Sequence, residues 1–133
     1  MISVKKLTLA TIFLVFLLLF SCQANENDLM FVGEGENWSS KVTVNQTNGD
    51  ETYQIQINYK GYSIQKIDTF SYYVEAKNNG VVDFGGNKAF LNKEGIYQSD
   101  LPISNSPSTS VKDELVIKVE WNGKSESFTL INN

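Results

Sequence analysis

Cys22 is the chain's one thiol, and it stands where the stretch Leu17 to Asp28, LLLFSCQANEND, turns from apolar to polar within two residues. A lone thiol can act as a nucleophile, a metal ligand, half of a disulfide or an acceptor of lipid. The first two roles usually draw on histidine, and the sequence contains none. Ser-His-Asp and Cys-His nucleophiles and histidine-ligated zinc are therefore excluded. Acid–base work would fall to carboxylates and lysines. The acidic residues come singly or in short clusters, Glu34 with Glu36, Asp50 with Glu51 and Asp113 with Glu114, which read as exposed, solvated charge. A wall-glycan hydrolase built from such residues needs two carboxyl groups within roughly 5–10 Å of each other. Asp83 and Glu94 bracket a window of calcium-loop length, DFGGNKAFLNKE. Its third position is Gly85 where a ligand oxygen is required, and its sixth is Lys88 where the turn demands glycine. No metal site or cofactor is expected.

What precedes Cys22 explains it better than any catalytic partner. Lys5 and Lys6 lead into an apolar run from Leu9 to Phe20, broken only by Thr11. Positive charge followed by a helical apolar core is the order of an export signal. A permanent span takes about 20 consecutive apolar residues, more than this run supplies. An uncleaved anchor, a buried free thiol and an intermolecular disulfide are the alternatives. The boundary Leu19-Phe20-Ser21-Cys22 resembles the lipobox of bacterial lipoproteins, in which leucine stands three residues before the cysteine and a small residue immediately before it. Phe20 is bulkier than is usual between them. The resemblance implies residues 1–21 as signal peptide, cleavage between Ser21 and Cys22, a thioether-linked diacylglycerol on Cys22, and a protein anchored on the extracytoplasmic face of the cell membrane. Burial of acyl chains contributes about 0.8 kcal/mol per methylene, so two chains hold where one is marginal.

Loss of residues 1–21 would take the formal charge from −4 to −6, because Lys5 and Lys6 leave with them. All positive charge is lysine, and there is no arginine. Nucleic-acid binding needs a basic face that displaces counterions from phosphates, so that class is excluded. Electrostatic attachment to anionic lipid is disfavoured for the same reason. Residues 22–33, polar and acidic through Met30, read as a lipid-anchored tether, with ordered structure beginning near Phe31 or Trp38 and a β domain over 34–133.

From Trp38 onward the dominant period is two, with no amphipathic helix. Tyr53, Ile55, Ile57 and Tyr59 alternate with polar residues, and Trp38, Val42 and Val44 share one parity. Asn48-Gly49 between them suits a two-residue type I′ turn, which pairs Val44 with Tyr53, Val42 with Ile55 and Trp38 with Tyr59. Asn122-Gly123 likewise pairs Trp121 with Lys124, Ile117 with Phe128 and Leu115 with Leu130. Phe70, Tyr72, Val74 and Ala76 form another alternating strand. Asn92 to Gly95, NKEG, reads as the turn of a further strand pair, bringing Leu91 near Ile96 and Phe90 near Tyr97. A two-residue turn at Asn79-Gly80 matches Glu75 with Phe84, a mismatch in polarity that leaves this register open. Pro102 to Ser110 reads as a polar loop. Seven or eight short strands predict an all-β chain, a single immunoglobulin-like antiparallel β-sandwich, with a small closed barrel as the alternative.

With the lipobox, GEGENW at Gly33 to Trp38 and WNGKSESFTL at Trp121 to Leu130, the whole chain resembles the small lipoproteins of Bacillus-type Gram-positive bacteria. That resemblance implies an address and a sandwich and no activity. The expected function is a non-catalytic binding or adaptor module at the cell envelope, engaging an envelope protein or peptide. A protective lipoprotein that sequesters a cationic peptide is the alternative, motivated by the negative charge. Most aromatic residues have core parity. Tyr62 and Tyr73 do not, and they are the expected exposed pair.

Overall fold

The computed structural model describes residues 27–47, 50–77, 82–104 and 109–133. Eight strands account for most of them: β1 (Asn27–Glu34), β2 (Trp38–Thr47), β3 (Asp50–Tyr59), β4 (Phe70–Ala76), β5 (Asp83–Ala89), β6 (Ile96–Ser104), β7 (Glu114–Trp121) and β8 (Lys124–Asn132). All pairs are antiparallel, and a single hydrogen-bonded order, β5-β4-β7-β8-β1-β2-β3-β6, runs through them. The link between its halves is narrow, only Phe31 with Asn132 and Val32 with Ile131. At this seam the sheet folds over, so that β1-β2-β3-β6 and β5-β4-β7-β8 become facing layers. Apart from β1, the layers β2-β3-β6 and β8-β7-β4-β5 have the A-B-E and G-F-C-C′ connectivity of an immunoglobulin-like sandwich. The fold is all-β.

Alternation dictates which side chains fill the space between layers. Along β2, Trp38, Ser40, Val42 and Val44 are buried while their neighbours are not, and on β7 Leu115, Ile117, Val119 and Trp121 repeat the pattern. The layers meet through rings. Trp38 lies 5.0 Å from Phe70 and 5.5 Å from Trp121 on the opposite layer, and 5.1 Å from Tyr59 on its own. Tyr97 of β6 reaches Phe70 at 5.5 Å and Tyr72 at 5.6 Å, and Tyr53 of β3 reaches Phe84 at 5.8 Å. These tilted and edge-on pairs supply the burial that holds the domain.

Both Asn-Gly hairpins adopt the expected register, Trp38 opposite Tyr59 and Val42 opposite Ile55 in one, Leu115 opposite Leu130 and Ile117 opposite Phe128 in the other. Asn122 and Gly123 have φ of 48° and 73°, as a type I′ turn requires. Residues 48–49 lie outside the described residues.

Four expectations need correction. The stretch 27–33 is not tether but most of β1, because Leu29 and Phe31 pair with Val44 and Val42 and Phe31 is fully buried. The inward parity ends at Gly33, whose missing Cβ leaves room for the Thr129 carbonyl of β8. The domain therefore includes residues 27–33 and does not begin at residue 34. Secondly, the Asn92–Gly95 turn forms, with the Asn92 side chain accepting from the Glu94 and Ile96 amides at 3.0 and 2.9 Å. It joins no hairpin, however: β5 pairs with β4 and β6 with β3, so the turn is a corner between layers. Thirdly, the polar loop begins later, since Pro102 to Ser104 continue β6. β6 is an edge strand and its pairing with β3 shifts between Glu51 and Tyr53, conditions under which a strand tolerates proline. Lastly, Glu51 is fully buried rather than solvated, because it shares the inward parity of Tyr53, Ile55 and Ile57. The open register settles at Glu75 opposite Asp83 and Val74 opposite Phe84, with Ala76 donating to the Val82 carbonyl at 2.8 Å.

Candidate functional site

Ser21 and Cys22, the residues expected to be cleaved and acylated, lie outside the described residues, as does the export segment. Among the described residues, no helix is long and apolar enough to cross a membrane, and no group of three His, Cys, Asp or Glu side chains is placed to hold a metal. The carboxylates considered for acid–base chemistry are dispersed. Glu34 pairs with Lys60 at 3.2 Å and Glu114 with Lys77 at 3.0 Å. Asp113 accepts from the Ser110 amide at 2.8 Å, and Glu36 and Asp50 are exposed. Glu51 sits beside the Tyr53 hydroxyl, where burial, with the Glu51 charge adding to it, raises the phenol above its ordinary value. Asp83 and Glu94 are separated by the whole of β5 and the layer corner.

Of the two expected exposed aromatics, Tyr62 stands wholly in solvent on the β3–β4 connection, and Tyr73 is 42% exposed on the outer face of β4. Tyr73 is the one with a built surround. Its cross-strand partner is Gly85, and a Cβ there would meet the Tyr72 carbonyl at 2.5 Å and the Tyr73 ring at 3.3 Å. Gly86 is needed for the opposite reason, since its Cβ would strike the inward Tyr72 ring at 2.7 Å. The glycine pair thus lets the two rings flank β5, one outside and one inside. The neighbouring Asp83 carboxylate, with smaller contributions from desolvation and the charge of Glu75, pushes the Tyr73 phenol up to about 12. Tyr72 is raised by burial and by its neighbour Tyr97, whose hydroxyl lies 3.5 Å away.

The influence of Asp83 on Tyr73 is directly measurable. An ultraviolet-monitored titration should show one phenol ionising near 12 that vanishes in Tyr73→Phe and moves towards 10 in Asp83→Asn. Since the folded value lies above the unfolded one, the contribution to stability is complete below about pH 10 and is lost as the pH rises towards 12. A Tyr73 signal unmoved by Asp83→Asn would refute the contact.

Next to Tyr73 the outer face of β5, β4 and β7 is hollowed into a trough. Two adjoining depressions of about 390 and 510 Å³ share Ser71, Asn87 and Glu120 and continue to the Asn122-Gly123 turn. A bulge shapes its rim: Phe70 pairs with Ala89 but Tyr72 with Gly86, and between them Lys88 takes a left-handed φ of 53°. Such a conformation costs a non-glycine residue on the order of 1 kcal/mol. It leaves Lys88 at the trough edge, with Lys124 also lining the wider depression. Lys118 pairs with Glu120 at 3.0 Å. Among the described residues, Lys88 and Lys124 have no ion-pair partner. The wall is thus the exposed Tyr73 ring, the edges of the buried Phe70, Tyr72 and Trp121, hydroxyls, the amides of Asn87 and Asn122, one neutralised pair and two free ammonium groups.

Tyr73 was legible from parity alone. Asn87, Lys88 and Lys124 were not, although adjacent glycines inside a strand are a signal of a bulge or a close approach. The trough also has a definite place along the domain. β1 starts at the end bearing the β2–β3 turn, whereas Phe70, Trp121 and the β7–β8 turn lie at the other end, where Glu126 of β8 holds the β1–β2 loop. No protein-family model, curated protein or solved structure matches this chain.

Proposed function

We propose that the protein is a lipid-anchored, extracytoplasmic lipoprotein whose sandwich is a non-catalytic binding module of the cell envelope. The observation that carries the reading is the ordered junction of lysines, apolar run, Ser21 and Cys22, joined to a domain whose outer trough extends to the end opposite the start of β1. Only five residue steps separate Cys22 from Asn27. At about 3.3–3.6 Å per residue the linker reaches at most roughly 18 Å. An anchored domain would stand close to the bilayer with the β2–β3 turn towards it and the trough towards the envelope. Binding surfaces on a rigid sandwich need no catalytic side chains, which suits a chain without histidine.

Cys22→Ala tests the address. In the native host the variant should lose the acylated N-terminal peptide seen by mass spectrometry, fail to be processed after Ser21, and leave the lipid-modified membrane fraction. If it still matures and remains membrane-bound to the same extent, the lipoprotein reading is wrong.

A further inference from the structure

We infer that the outer trough of β5, β4 and β7 is a binding site for an anionic saccharide, with a sugar ring stacked on Tyr73 and an acidic substituent held between Lys88 and Lys124. The inference deepens the binding-module reading, on which it rests for biological context, by naming what the module would take. Four features of the trough lead to it.

The first is the platform. Tyr73 is exposed, yet its ring lies against the bare backbone of Gly85 across the strand pair, which limits the side-chain freedom left to be lost on binding. A preset flat ring with a polar tip matches a pyranose, which has an apolar C–H face and a rim of hydroxyls. The second is the lining. Ser71, Asn87 and Ser125 offer donors and acceptors at the scale of sugar hydroxyls. Phe70 and Trp121 line the wider depression but are buried and offer a peptide side chain little apolar surface, and a peptide adding to the free edge of β5 would meet the bulge at Lys88.

The third feature is charge. The whole chain is acidic, with a net charge of −4, but one end of this trough runs the other way. Lys118 and Glu120 cancel each other, Asp83 and Glu75 put negative charge beside Tyr73, and Lys88 and Lys124 remain uncompensated in the wider depression. Two free ammonium groups at that end of an acidic protein are what a carboxylate or phosphate on the ligand would neutralise. A long nucleic acid would instead be repelled by the remainder of the surface. The fourth is strain. Lys88 adopts a left-handed backbone in a strand where glycine stands nearby at Gly85 and Gly86, and a strained residue maintained at a rim is a mark of use.

The test uses the full-length chain in non-ionic detergent micelles, titrated calorimetrically with trigalacturonate, glucose 1-phosphate and neutral chitotriose. At least one acidic sugar should bind, and the two arms separate carboxylate from phosphate recognition. Binding should weaken about tenfold in Tyr73→Ala and several-fold in Lys88→Gln or Lys124→Gln, and it should fall as salt is raised. All three positions are at the surface, and thermal melts of the variants verify folding. Absence of binding by both acidic sugars overturns the inference. So does equal binding of chitotriose with no response to the lysine variants, which would make the site neutral. Inorganic phosphate that displaces the sugar while Tyr73→Ala has no effect would reduce the site to an ion patch. None of these outcomes depends on acylation. Failure of Cys22→Ala to change localisation would remove the anchor and leave the saccharide site standing, and an anchored chain blind to acidic sugars would do the reverse.

Discussion

Trp38→Ala is expected to lower the unfolding free energy by about 4 kcal/mol, within the range for truncating a fully buried large aromatic. Trp38 has no solvent exposure, and its ring touches Tyr59, Phe70 and Trp121 at 5.0–5.5 Å. It is the one ring that bridges β2 to both β4 and β7, so its removal opens a void between the layers rather than at their rim. For a domain of this size the total is of the order of 5–15 kcal/mol. The variant should therefore unfold at a much lower urea concentration, with Trp121 left as the fluorescent reporter. Trp38→Phe provides the control. The indole Nε1 is buried without a hydrogen-bond partner among the described residues, and an unpaired buried donor carries a penalty of about 1–3 kcal/mol. Phenylalanine removes that penalty along with part of the ring, so its net effect should be under about 2 kcal/mol. Equal effects of the two substitutions would show that packing between the layers does not pass through this ring.

Glu126→Ala should cost about 2–4 kcal/mol, a large value for a half-buried residue. Its carboxylate accepts from the Asn37 amide at 3.0 and 3.1 Å, from the Asn37 side-chain amide at 3.2 Å and from the Trp38 amide at 3.0 Å. Hydrogen bonds to a charged acceptor contribute about 1.5–3 kcal/mol each, and bonds sharing one acceptor are not additive. These bonds tie β8 to the β1–β2 loop. Gly35 is part of the same device, since a Cβ there would meet the carboxylate carbon at 2.7 Å. Chemical denaturation reads the stability change, and hydrogen exchange at the Asn37 and Trp38 amides should quicken selectively. Glu126→Gln, which keeps one acceptor oxygen, should retain part of the protection. Unchanged exchange at both amides in Glu126→Ala would contradict the assignment.

The two hairpins were readable because everything that determines them is local. Asn122-Gly123 dictates the turn, and the parity of Leu115, Ile117, Phe128 and Leu130 admits one register only. Elsewhere the same local chemistry serves a different topology. Asn92 to Gly95 makes the same kind of tight turn whether the strands it joins pair with each other or with strands of opposite layers, and no residue within it distinguishes the cases. β1 was obscured by its acidic neighbours and by the brevity of its inward face, just Leu29 and Phe31 before Gly33. Glu51 was misjudged because a charged residue next to Asp50 looks solvated, while its parity with Tyr53 pointed inward. Of the candidate site, Tyr73 could be found from its odd position on β4. The trough could not, because it depends on β5 and β7 flanking β4, separated from it in sequence by a loop in one case and by a crossing of the sandwich in the other.

The seam between β1 and β8 acquires a mechanical meaning if the chain is held at Cys22. A pull on the linker enters at Asn27 and runs along β1, parallel to the strand, while a load gripped at the trough resists from the other end. The ladder from Asn27–Gln46 to Glu34–Ser39 would then be loaded in shear, all its rungs together, instead of being opened one at a time like a zip. The short seam with β8, reinforced where Glu126 grips the amides of Asn37 and Trp38, would pass part of that force directly into the ligand-facing layer. The first strand would carry the tension for the whole domain.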